Sequence, residues 1–226
     1  MPVTLPLIRG IIFDLDGTLY RMPWFFRPLM FFRLFPYSLR LPRFISVRET
    51  FAGQHLGTHE LIMHAVAAKL GEREKTDAAG MRRWIEGSFY PAFIWVMRFM
   101  RHSRPGINEL LNAVRAKGIN VGLISDYSRV RERLARLDIS DSAFDPILSS
   151  EESGALKPSS VPYEITARQW AIAPEHILVI GDRMNTDGLA AKNAGMAFLQ
   201  VGSGKTPAVH SWGDVAEILL NLPHPG

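Results

Sequence analysis

The pattern of apolar and polar positions changes character twice along this 226-residue chain. Leu7 to Leu15 is an apolar, β-branched run ending in Asp14, Asp16 and Gly17, which reads as a buried strand opening into a loop. From Pro105 onward, helical patterns and short apolar runs take turns. Pro105 to Lys117 predicts a helix, with Pro105 near its start and Gly118 after its end as punctuation. Ile119 to Ile124 predicts a strand and Val130 to Leu137 a helix. Next come a strand at Pro146 to Leu148, a helix at Pro162 to Trp170 and a strand at His176 to Ile180. A helix at Gly188 to Asn193, a strand at Ala197 to Val201 and a helix at Asp214 to Leu220 close the series. This alternation specifies an α/β fold whose parallel sheet is covered on both faces. Ligands of such sheets sit at the carboxyl ends of the strands, which is where Asp14, Ser125 and Asp182 fall.

Between about Tyr20 and Arg104 the alternation stops. Glu60 to Leu70 and Ala78 to Phe89 are longer helical patterns and little reads as strand. The expected organisation is a core of residues 1–19 and 105–226 with a helical domain, 20–104, inserted after the first strand. The insertion's leading part, Arg21 to Arg48, holds six arginines, eight aromatics and no acid, and Pro23, Pro28, Pro36 and Pro42 divide it into short pieces. Trp24, Phe25, Phe26, Phe31, Phe32 and Phe35 are expected to pack the insertion's own core, leaving Arg27 and Arg33 solvated. The same residues allow a second role, an apolar surface flanked by arginines that receives a lipophilic phosphate or rests on an anionic membrane.

Composition narrows the classes of function. No unbroken apolar run reaches the ~18 residues of a membrane span. The start, MPVTLPLIRGIIF, has no basic region ahead of its apolar stretch and does not read as a secretory signal, so a cytoplasmic location is expected. Without cysteine there is no disulfide, thiolate nucleophile or thiolate metal site. The net charge of +4 suits an anionic ligand such as a phosphorylated metabolite, and is too modest to indicate nucleic acid.

The chemistry concentrates at four places. Asp14-Leu15-Asp16-Gly17-Thr18 brings two carboxylates to a strand end, where they can divide nucleophile and acid/base roles. Read alone it is equally a helix-capping Asp-Gly-Thr turn. Ser125 closes the run Val121-Gly122-Leu123-Ile124, so its hydroxyl can donate to a phosphoryl oxygen, or simply cap a helix. Lys157, with Gly154 before it and Pro158 after it, can hold an ammonium against a developing dianion, although an isolated Lys-Pro is commonly a solvated pair. Gly181-Asp182-Arg183-Met184-Asn185-Thr186-Asp187 follows another apolar strand. Its two carboxylates suit Mg²⁺, or place Asp187 on the first turn of a helix as a cap.

Taken together and in this order, these residues resemble the haloacid dehalogenase superfamily, specifically its phosphatase-type members with a helical cap after the first strand. The resemblance spans about Ile8 to Val201. It implies a Rossmann-like core with an inserted helical cap, and a Mg²⁺-dependent phosphatase acting on a small phosphorylated metabolite. Asp14 would be the nucleophile that forms an aspartyl-phosphate; Asp16 would protonate the leaving oxygen and then activate water. Ser125 and Lys157 would bind the phosphoryl group. Asp14, the Asp16 carbonyl and Asp182 would ligate Mg²⁺, with Asp187 supporting or joining them. Asp16 is then expected to keep a proton until the leaving group needs it. Asp126, where relatives often have Asn, and Gly188-Leu189-Ala190-Ala191 depart from the family pattern and leave the subfamily open.

Other readings are weaker. A phosphomutase or phosphonate hydrolase fits the same core, but the latter needs a cap lysine and only Lys69 and Lys75 are offered. Dehalogenation needs no acid at the position of Asp16. A weakly catalytic membrane-surface module working through Arg21 to Arg48 is the alternative from another class. Gly202-Ser203-Gly204-Lys205-Thr206 imitates the end of a P-loop, but Leu199 stands where an earlier glycine is required and Pro207 interrupts the helix start. His59 and His64 lie five apart, about 140° around a helix, so they read as polar cap positions rather than zinc ligands. His55 and His59 have the better spacing, but Gly57 weakens the helix between them.

Overall fold

The computed structural model describes residues 7–100, 103–202 and 208–225. Strand β1 (Gly10–Phe13) is followed by five helices: α1 (Phe26–Arg33), α2 (Arg40–Glu49), α3 (His59–Glu74), α4 (Ala78–Trp84) and α5 (Tyr90–Met97). Helices and strands then alternate through α6 (Ile107–Ala116), β2 (Asn120–Ser125), α7 (Val130–Arg136), β3 (Ile147–Ser149) and α8 (Val161–Trp170). The remaining elements are β4 (Ile177–Gly181), α9 (Leu189–Asn193), β5 (Ala197–Val201), β6 (Val209–His210) and α10 (Trp212–Leu220). The six strands among the described residues are all parallel, in the order β3-β2-β1-β4-β5-β6. This is the expected α/β, Rossmann-like architecture. Every residue of β1 and β4 is buried, as strands covered on both faces must be.

The register explains why the chemistry gathers where it does. Phe13 of β1 lies opposite Leu123 of β2 and Ile180 of β4, so the next residue, Asp14, emerges between the ends of both neighbours. Its N–H still donates to the Ile180 carbonyl at 2.9 Å, which holds the backbone in the sheet while the side chain leaves it. From β1 the chain order runs outward in both directions, making this the topological switch point where such folds bind ligands.

Several details differ from the sequence expectations. The helix expected over Ala78–Phe89 runs further: α4 passes through a wide π-type turn at Ile85–Phe89 into α5. The missing N–H of Pro91 falls in the first turn of α5, where it disrupts little. Pro28 and Pro42 likewise occupy first turns, of α1 and α2, so they start helices rather than chop them. The short edge strand β6 was not foreseen; two residues carry no periodicity. The P-loop-like stretch lies outside the described residues except Gly202, whose N–H donates to His210 at 2.8 Å. His59 begins α3 beside the capping Thr58, and His64 is exposed on the same helix.

The aromatic segment departs most. Phe26 does pack inward, on Phe93 at 5.4 Å between ring centres, and Phe44 packs on Phe89 at 4.6 Å. Trp24, Phe32 and Phe35, however, are 87%, 75% and 80% exposed. The reason is geometric: α1 has eight residues and one inward face, centred on buried Met30, which cannot cover six aromatics within twelve residues.

The helical insertion braces the sheet edge through polar contacts. Arg48 of α2 donates to the Asp126 carbonyl at 2.8 Å, pairs with buried Glu151 at 3.3 Å and stacks 3.9 Å above the Tyr127 ring. Glu151 also accepts from Tyr90 of α5 and from the Ser128 N–H and hydroxyl, at 3.0 and 2.7 Å. Residues 53–58 lie along the loop that carries Lys157, with Leu56 N–H donating to the Gly154 carbonyl at 2.8 Å. Gly154 has a φ of +65°, and a Cβ there would sit 2.5 Å from the Thr58 nitrogen, so only glycine fits.

Candidate active site

Asp14 is 4% exposed at the end of β1. Its Oδ1 accepts from Lys157 Nζ at 2.8 Å and its Oδ2 from the Thr18 hydroxyl at 2.9 Å. Burial and then the neighbouring Asp187 carboxylate push its pKa well above the usual carboxylate range, against the opposing pull of Lys157. Lys157 is fully buried and uses all three of its donors: Asp14, Asp187 at 2.7 Å and the Ile124 carbonyl at 2.9 Å. Burial alone would lower its basicity, but Asp14 and Asp187 outweigh that and hold it protonated. The turn after the nucleophile candidate is tied down by Arg104, which donates to the Thr18 carbonyl at 2.8 Å and the Gly17 carbonyl at 3.0 Å.

Asp16 lies apart from this group. Its carboxylate is gripped by Arg133 of α7 and accepts from the Tyr20 hydroxyl at 2.5 Å and the Ser125 hydroxyl at 3.2 Å. Burial would raise its pKa, yet the charge and hydrogen bonds of Arg133 win, and Asp16 titrates below the usual range. The expectation that Asp16 keeps a proton is therefore corrected for this conformation: an arginine the sequence did not flag holds it ionised. Ser125 is likewise engaged, accepting from Arg133 at 2.9 Å while donating to Asp16.

The third group is acidic. Asp14, Asp182 and Asp187 bring one carboxylate oxygen each within 4.8 Å of one another. Among the described residues no such cluster includes His55, His59, His64 or the Asp16 side chain. Asp182 Oδ1 is buried without a hydrogen-bond partner, and burial followed by Asp187 pushes the group up to about 6. Lys157 and an Arg183 that lies 3.8 Å from Asp182 Oδ1 but is shared with Asp126 do not balance these carboxylates, and hard oxygen donors, one of them without a hydrogen-bond partner, fit Mg²⁺. Glycines make the approach possible. A Cβ on Gly17, whose φ is +91°, would lie 2.3 Å from Asp182 Oδ2, and one on Gly181 would lie 2.5 Å from the Asp187 side chain.

This charge arrangement has a measurable consequence. Asp182 titrates at 3.8 when unfolded and near 6 when folded, so between those values the native state binds more protons. Metal-free stability is expected to fall as pH rises through that window. Mg²⁺ should raise Tm by roughly 5–10 °C above about pH 6 at about a hundredfold excess over Kd, and by much less near pH 4. Differential scanning fluorimetry across pH checks this; an equal gain at both ends, or none, contradicts it.

Of the residues singled out in the sequence, the structure gathers Asp14, Lys157, Asp182 and Asp187 into one cluster, and Ser125 with Asp16 into an adjoining one. Sequence reasoning missed Arg133, Tyr20 and Arg104. Arg133 had a signal: it lies three residues after Val130 and beside Leu134, on the buried face of α7. It is fully buried, with its guanidinium 4.7 Å from the centre of the Phe93 ring. Arg133→Met is expected to destabilise the fold by roughly 2–4 kcal/mol, because a largely buried Asp16 is left without its charge partner, with only the Tyr20 and Ser125 hydroxyls to hold it. Adding Asp16→Asn should recover part of that in urea unfolding; no recovery would mean the two do not act as a pair.

Fold and acidic cluster together define an α/β protein with a carboxylate-rich centre at the switch point of its sheet. A family model described as haloacid dehalogenase-like hydrolase matches residues 8–195, and the chain belongs to that family. It is 25% identical over 212 residues to the glyceraldehyde 3-phosphate phosphatase of Methanocaldococcus jannaschii, a match covering 88% of this chain and 87% of that one. The protein of the same name from Methanothermobacter thermautotrophicus is 34% identical over 106 residues, 46% of each chain. The chain spans about half the length of this and other curated relatives that it matches. In fold it is similar to the HAD-hydrolase YfnB from Bacillus subtilis bound to magnesium, with a TM-score of 0.64 at 16% identity, covering 95% of this chain and 99% of that one.

Proposed function

We propose that the protein is a Mg²⁺-dependent phosphatase that hydrolyses a small phosphorylated metabolite of the cytoplasm through an aspartyl-phosphate on Asp14. One observation carries the reading: the Asp14 carboxylate stands buried at the end of the central strand, held by Lys157 and Thr18, beside Asp182 and Asp187. Phosphatases among the relatives support the substrate class. Mg²⁺ held by Asp14, Asp182 and Asp187, with the Asp16 carbonyl as a further ligand, would supply positive charge against the phosphoryl oxygens.

The protein's own groups do the rest. An Asp14 oxygen attacks phosphorus, the ester P–O bond breaks, and the leaving oxygen takes a proton from Asp16. Asp16, now ionised, takes a proton from water as the water oxygen attacks phosphorus; the acyl-phosphate bond breaks, Asp14 is regenerated and inorganic phosphate leaves. Lys157 keeps the charge on Asp14 tolerable as the phosphoryl group arrives, and Ser125 donates to a phosphoryl oxygen. The Arg133 pair favours the ionised Asp16 that the second half requires. In the first half the arriving leaving group must loosen that pair so that Asp16 can carry its proton.

Residues 20–104 serve in this reading as a cap domain over the core of 1–19 and 105–226. Lys69 rests 5.3 Å from the Phe51 ring and Lys75 terminates α3, an arrangement that gives no support to Schiff-base chemistry. The test is release of inorganic phosphate from an aryl phosphate with Mg²⁺ and with a chelator. Metal-dependent release is expected; none with Mg²⁺, or equal release with chelator, contradicts the reading.

A further inference from the structure

We propose that the outward face of α1, with the residues just before and after it, docks the protein on an anionic lipid bilayer. Of the thirteen large hydrophobic residues exposed among the described residues, seven fall between Met22 and Leu39. Trp24, Phe32 and Phe35 are the most exposed of all. Burying such rings ordinarily stabilises a fold, so a cluster left in water marks an interaction surface rather than scattered surface residues.

The charges around this cluster say what it meets. Arginines further along the segment already have carboxylate partners: Arg40 and Arg43 share Glu74, and Arg48 has Glu151. Arg21, Arg27 and Arg33, which stand among the exposed aromatics, form no ion pair among the described residues. Arg33 and Arg98 lean toward the same Trp95 ring, at 5.9 and 5.6 Å, which brings the end of α5 into the same basic surface. No acid occurs from Arg21 to Arg48, so nothing within the segment neutralises it.

Exposed Trp and Phe flanked by unpaired arginines match the requirements of a lipid interface. The rings enter the boundary between headgroups and acyl chains while the guanidinium groups meet phosphate and carboxylate headgroups. Such a surface needs no pocket and no shape complementarity. It also needs no membrane span, and no helix among the described residues is long and apolar enough to be one.

The experiment is co-sedimentation of the full chain with vesicles of phosphatidylcholine alone and of phosphatidylcholine mixed with phosphatidylserine. Binding is expected with the anionic vesicles, much less with the neutral ones, and weakening with added salt. Phe32→Ser with Phe35→Ser should abolish it. Replacing Arg27 and Arg33 by Gln should weaken it roughly fivefold per arginine. Aryl-phosphate hydrolysis, in which none of these four residues takes part, should be unchanged in both variants and reports that they fold. No association with anionic vesicles, or association that survives both variants, overturns the proposal. So does a concentration-dependent dimer that the Phe32→Ser/Phe35→Ser variant disperses, because the surface would then belong to a second copy of the chain.

Discussion

Asp14→Asn is expected to lower turnover by roughly four orders of magnitude or more while leaving the protein folded. The amide keeps the shape of the carboxylate, and its oxygen can still accept from Lys157 or Thr18, so the packing around residue 14 survives. What disappears is the attacking charge. Neutralising residue 14 also removes one of three crowded carboxylates, and burial followed by Asp187 is what raises the pKa of Asp14. The variant should therefore be at least as stable as the parent without metal, and gain less from Mg²⁺. Loss of activity with stability retained distinguishes a missing nucleophile from a damaged fold. Steady-state kinetics beside thermal unfolding reads both quantities; substantial hydrolysis by a homogeneous variant would remove Asp14 from the role.

The second large effect depends on the substrate. Asp16→Asn should slow hydrolysis of an alkyl phosphate by about a hundredfold to ten-thousandfold, because that leaving oxygen requires a proton. An aryl phosphate with a good leaving group should still transfer its phosphoryl group to Asp14 and then stall, since no base activates water for the second half. A burst of phenol without steady turnover is the expected trace. Equal losses in the first, phosphoryl-transfer step on both substrates, with no phenol burst, would count against the acid role. The Arg133 contact sharpens this test: with Asp16 held ionised below the usual carboxylate range, the parent's single-turnover rate on alkyl phosphates should fall as pH rises, and the variant should lose that dependence.

The core of the fold was legible because its signals are local and repeated. Each strand is a short apolar run, each helix has periodicity or punctuation, and the order alone specifies a parallel sheet. Asp14 and Asp182 were legible for the same reason, since each directly follows a strand at the carboxyl edge of the sheet, whereas Lys157 and Asp187 joined them through the family resemblance. What stayed hidden depends on partners distant in sequence. Arg133 meets Asp16 across more than a hundred residues, and although it shares the face of Val130 and Leu134, nothing near it in the sequence names that partner. Arg48 and Glu151 pair across a similar separation to fasten the helical insertion to the sheet edge. The exposed aromatics were misjudged because composition reports how many rings there are, not how many one short helix can cover.

The central claim is covalent, and its most direct test is to trap the intermediate. Asp16→Asn protein mixed with Mg²⁺ and an excess of aryl phosphate, quenched in acid and digested, should yield one phosphorylated peptide, the one containing Asp14. Hydroxylamine should remove the label, as it does from an acyl phosphate, and Asp14→Asn should prevent it from forming. Phosphate found on Ser125 or another side chain, or no protein-bound phosphate while phenol is released, would contradict the account.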